Sequence, residues 1–174
     1  EDLPVTVDED PADRRGDRLL AYLGLLEDAA PLFASTRRLP RAGVLLAIPG
    51  LLGTGVLECA REVFGDIGPA FYGLRTSVVA FVLMALLRIK RPEGLKEHSP
   101  EDLGRLLGLD RAPEVKTLRR KLARLASHGR AATFGRALAL RRVASHGPAM
   151  GFLYIDGHVR VYHGKHTLPK AHIA

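Results

Sequence analysis

One cysteine, Cys59, stands among 174 residues, so neither a disulfide framework nor a cysteine-based zinc site can form. That fits a reducing cytoplasm. A phosphate-cradling glycine loop is missing too: residues 50–55 (GLLGTG) lack the Lys-Ser/Thr ending and follow no strand pattern. Cys59 falls in a helical pattern among apolar residues, and no nucleophile with a positioned base can be argued. Long apolar runs are absent. Residues 76–87 (TSVVAFVLMALL) are apolar but bracketed by Arg75 and Arg88, short of the roughly 20 residues a membrane span needs. Residues 43–57 are interrupted by Pro49, Gly50, Gly53 and Gly55, so both stretches read as buried core helices. Scarcest of all is negative charge late in the chain. After Glu114 the only acidic side chain is Asp156.

What is there complements these absences. Hydrophobic content of 47% and charged content of 26% are those of a folded, soluble protein. Net charge is +7, split into −6 over residues 1–30 and +13 over residues 31–174. A basic body of this kind suits a polyanionic partner, nucleic acid first and an anionic membrane surface second. Position 1 is Glu and no basic-plus-apolar leader follows, so a piece of a longer chain is expected.

The acidic, proline-bearing residues 1–16 read as a flexible tail. Asp17 is placed to cap a helix running to about Ala30, with Leu19, Leu20, Leu23 and Leu26 at helical spacing. A connector with Arg37, Arg38 and Arg41 leads to two apolar helices, about 41–48 and 51–64, separated near Pro49 and Gly50. A long helix over about 72–89 comes next, its basic end complementing the helix dipole. Ser99-Pro100-Glu101-Asp102 is a helix start: a capping hydroxyl, proline at the first helical position, then acids in the first turn. Gly108 should stop that helix after two turns. Pro113 and Glu114 open another, running to about Ser127 with Gly129 as its C-terminal cap. Residues 131–144 fit a further helix.

A short helix, a tight turn and a longer basic helix form the arrangement of a helix-turn-helix, about residues 99–128. Val115, Leu118, Leu122 and Leu125 follow 3-4-3 spacing and predict one buried stripe. A recognition helix presents N-terminal residues to base edges and flanking cations to phosphates. Lys116, Thr117 and Arg120 are then the base-reading candidates, while Arg119, Lys121 and Arg124 neutralise phosphate. Solvated faces mix charge signs, whereas residues 115–155 contain no acid at all.

From residue 152 to 162 the side chains alternate: Leu153, Ile155, Val159 and Val161 on one face, and Tyr154, Asp156, His158, Arg160 and Tyr162 on the other. A continuous strand would hold Asp156 mid-strand, where rigid backbone fixes a ligand. Asp156-Gly157 is also a hairpin-turn dipeptide, in which the aspartate serves backbone geometry alone. Both readings are open on these residues. His158, His163, His166 and His172 lack helical i, i+4 spacing and a companion carboxylate, and read as basic surface rather than a zinc site.

Taken together, residues 71–126 (FYGLRTSVVAFVLMALLRIKRPEGLKEHSPEDLGRLLGLDRAPEVKTLRRKLARLA) and FLYIDGHVRVYHGK resemble the N-terminal half of a DDE-type transposase from bacterial insertion sequences. The resemblance covers most of residues 40–174. It implies a mainly α protein: a helical DNA-binding region over 17–147, then from 148 the first strand or strands of a truncated ribonuclease-H-like α/β domain. Asp156 matches the first acid of the family's catalytic triad. The resemblance further implies two divalent ions, with Mg2+ expected, which would activate a water or 3′-hydroxyl and stabilise the leaving oxygen. The second Asp and the final Glu of the triad are absent here. This chain alone is therefore expected to be inactive, its missing acids lying beyond Ala174. Expected partners are DNA, as element ends, and further copies on DNA, with no membrane and no small-molecule cofactor. The expected location is the bacterial cytoplasm, at the nucleoid. Two other readings remain: a non-enzymatic helix-turn-helix DNA-binding protein, and a basic helical interaction module.

Overall fold

A computed structural model describes residues 7–65 and 67–147, and all regular secondary structure among them is helical. The expected strand with Asp156, and the four histidines from His158 onward, lie outside the described residues. The chain is mainly α, as its patterning predicts.

Helix α1, Arg15–Tyr22, is shorter than its leucine spacing suggests. Gly24 adopts a φ of 76° just past its end. The Leu25 amide donates to the Leu20 carbonyl at 2.8 Å and the Gly24 amide to Ala21 at 3.3 Å, closing a Schellman turn. Asp17 lies inside the first turn rather than at the cap, and its own amide donates to the Asp8 carboxylate at 2.8 Å. Val7 in turn donates its amide to Asp17 Oδ1 at 2.7 Å. Residues 7–16 are thus anchored, unlike the flexible tail expected there. Asp8 caps the helix from outside it, while Glu9 and Asp10 face solvent.

The apolar block from residue 42 forms a 3-10 turn (Ala42–Ala47), a short α2 (Ile48–Leu52) and α3 (Val56–Phe64). The break falls at residues 53–55 and not at Pro49, because proline in a first helical turn forfeits no hydrogen bond. Helix α4, Leu74–Leu86, has no cap of its own at its N-terminus. Asp28 caps it from a distance, accepting from the amides of Gly73 and Thr76 at 3.0 Å each. The helix ends with Arg88 at a φ of 58° and the Ile89 amide on the Met84 carbonyl at 2.8 Å. A 3-10 turn, Pro92–Glu97, leads to α5 (Pro100–Leu106), α6 (Val115–Ser127) and α7 (Ala131–His146). Ser99 caps α5 as its sequence predicts, its hydroxyl accepting from the Asp102 amide at 3.1 Å.

The main core draws on Leu26, Ala29 and Phe71 from connecting segments, Ala80, Leu83 and Met84 from α4, and Leu103, Leu106, Leu107, Leu109 and Leu118 around the α5–α6 pair. Burying one such leucine contributes about 2–3 kcal/mol. Helix α3 buries Cys59, Ala60 and Val63 and packs against α4 and α7. Among the described residues no single helix is long and apolar enough to cross a membrane; residues 42–52 and 56–64 reach that length only as a pair bent by 64°.

Candidate nucleic-acid interface

The α5–α6 pair is held together from its turn outward. A Cβ on Gly104 would collide with the Arg111 backbone, so only glycine permits this approach of helix and turn. Gly108, at a φ of 72°, ends α5 with the Leu109 amide on the Gly104 carbonyl at 2.9 Å. The Ala112 amide then reaches back to the Pro100 carbonyl at 2.8 Å.

Helix α1 clamps the same turn. Arg14 is buried, donates from Nη1 to the Gly108 carbonyl at 3.1 Å and from Nη2 to Ala30 at 2.7 Å, and pairs with buried Asp17. Arg18 reaches both Asp110 carboxylate oxygens, at 2.7 and 2.8 Å, with its guanidinium 4.0 Å above the centre of the Phe71 ring. Burial works against the Arg18 charge, but the bonds to Asp110 and Tyr72 outweigh it and raise its pKa above the ordinary value. Tyr72 donates its hydroxyl to the Arg111 carbonyl at 3.1 Å. Helix α6 therefore starts from a fixed point.

Of the six side chains predicted to meet DNA, three share one strip. Lys116, Arg120 and Arg124 are exposed at i, i+4 and i+8, and among the described residues none of them enters an ion pair. Thr117 is half-buried on the flank. Arg119 is exposed but already paired, its Nη2 lying 2.6 Å from Glu93 Oε1. Lys121 is a correction: it is only 8% exposed and engaged within the fold, so it does not stand on the outward face. The predicted apolar stripe changes with it. Leu118 is 1% exposed, yet Leu122 is 49% exposed, because the helix is rolled to bury the side bearing 118 and 121. A lysine tolerates this position by burying its methylene stem.

An open groove of about 660 Å³ runs beside the first turn of α6, with Leu95, Leu103 and Val115 on its apolar part and Lys96, Lys116 and Arg119 among its cations. Glu93 and the Arg18–Asp110 clamp escaped sequence reasoning, since 26 and 92 positions separate those partners. Asp156 lies outside the described residues. Among the described residues no group of three or more His, Cys, Asp or Glu side chains could hold a metal ion.

No curated protein and no solved structure matches the chain. The sequence profile of a family described as a transposase protein does match, over residues 11–174. That span holds both the clamped helix pair and the acid-free basic stretch, and the chain belongs to this transposase family.

Proposed function

We propose that this transposase-family chain binds DNA through the outward strip of α6, as the DNA-recognising part of a bacterial insertion-sequence transposase of the DDE type acting at the nucleoid. The α5–α6 pair serves as a helix-turn-helix whose second helix enters the major groove. Lys116, Thr117 and Arg120 read base edges; Arg124 neutralises phosphate, with Arg119 doing so when it leaves Glu93. The observation that carries this reading is the strip itself: Lys116, Arg120 and Arg124 lie exposed on a helix fixed at its turn, within a stretch that has no acid from Val115 to Ile155.

The described residues do not fit a two-metal Mg2+ centre, because they contain no cluster of carboxylates and histidines able to hold an ion. Asp156 remains the proposed first metal ligand by family resemblance. One carboxylate cannot hold two ions, so these 174 residues are expected to bind DNA without cutting it.

Titration of a labelled DNA duplex at several salt concentrations tests the reading. Affinity should fall steeply as salt rises. Lys116→Ala with Arg120→Ala should weaken binding, and Arg124→Ala should flatten the salt dependence by about 0.9 in slope, the loss of one neutralised phosphate. Binding that ignores salt, or is unaffected by these substitutions, would favour a helical module without a nucleic-acid role.

A further inference from the structure

Helix α7 presents a second cationic surface. None of its 16 residues is buried, and it carries Arg136, Arg141, Arg142 and His146 with no acidic residue. Its attachment is nonetheless specific. The Phe134 ring lies 5.5 Å from that of Phe64, and Arg130, just ahead of the helix, donates to the Val63 carbonyl at 2.7 Å. Arg141 lies across Gly55, where a Cβ would collide with its guanidinium. Phe134, Leu138 and Arg141 recur at helical spacing and mark the docked side. Arg136 stands about 200° round the helix from Phe134, and Arg142 about 80° round, on the flank. Both are exposed, and neither enters an ion pair among the described residues.

We propose that α7 is a second DNA contact, in which Arg136 and Arg142 bind backbone phosphates independently of sequence while α6 reads the bases. This rests on the DNA-binding reading of α6. The guanidinium fork matches phosphate oxygens two at a time, and a regularly spaced polyanion needs only cations held at fixed positions. The docking of α7 on α3 supplies that fixity. A membrane surface fits less well: lipid-facing helices segregate apolar from charged residues, whereas α7 spreads both around its circumference.

The test compares the full chain with Arg136→Ala/Arg142→Ala, Arg136→Lys/Arg142→Lys and Lys116→Ala/Arg120→Ala, on an A·T-rich and a G·C-rich duplex. The α7 alanine pair should lower the slope of log affinity against log salt by about 1.8, equally on both duplexes, with Tm unchanged. The lysine pair should retain the slope. The α6 pair should change the ratio of affinities between the duplexes. If the α7 alanine pair leaves the slope unchanged while the α6 pair reduces binding, this inference is overturned and the reading of α6 stands. If the unaltered chain shows no salt-dependent DNA binding, both fall. Loss of binding to phosphatidylserine–phosphatidylcholine vesicles, with DNA binding intact, would reassign α7 to a membrane and also overturn the inference.

Discussion

Arg88 shows how a single residue carries strain for the sake of a helix end. It occupies the left-handed position that closes α4, where a residue with a Cβ costs about 1–2 kcal/mol relative to the right-handed basin. Gly24, Gly108 and Gly129 occupy the same position after α1, α5 and α6, with φ values of 76°, 72° and 63°. Glycine loses about 0.5–1 kcal/mol more backbone entropy on folding, so Arg88→Gly should stabilise by a net of about 0.5–1 kcal/mol. Thermal unfolding followed by circular dichroism should show a Tm rise of about 1–4 °C. The three glycine stops differ in how readable they are. Gly108 and Gly129 follow clear helical patterns and announce their helix ends. Gly24 is followed by Leu25 and Leu26, whose apolar character continues the helical spacing and hides the stop. Leu26 is fully buried, but from the connecting segment rather than from the helix.

At the scale of elements, the α5–α6 pair depends on a contact that no periodicity displays. Gly104 lies inside a helix, where glycine is ordinarily a weak choice, and its reason is the Arg111 backbone packed against it. Gly104→Ala should push the turn away, destabilise the protein by about 1–3 kcal/mol, and weaken DNA binding by displacing the start of α6. Calorimetry and duplex titration on the same variant check both effects; an unchanged Tm would show that the turn yields freely. Helix α6 itself was legible in existence and in charge. Its roll was not, because Leu122 and Lys121 are adjacent in sequence and the choice of which one enters the core lies with the neighbouring elements. Caps split in the same manner. Ser99 caps its own helix three residues away, whereas α4 borrows Asp28 across 45 positions.

For the whole molecule, Arg14 joins three parts that are remote in sequence: the acidic N-terminal segment, the connector at Ala30 and the turn of the helix pair. Removing one member of a buried ion pair costs about 3–5 kcal/mol, because the other charge stays buried. Arg14→Met should therefore lower the denaturant midpoint by an amount equivalent to about 3–5 kcal/mol, far more than substitution of exposed Arg15, which pairs with Asp13 at the surface. Comparable midpoints for the two variants would show that Arg14 is not such a joint.

By itself the sequence determined the helical class, the caps and stops at Ser99, Gly108 and Gly129, the acid-free basic stretch, and membership of a transposase family, which the family match supports at that level. These follow from rules acting within a few residues, or from composition alone. Only the tertiary structure decided that Lys121 is buried, that Arg119 meets Glu93, that residues 7–16 are anchored, and that α7 stands out cationic from its dock on α3. Each of those depends on groups brought together from far along the chain, and side-chain exposure is a property of that assembly rather than of any one helix.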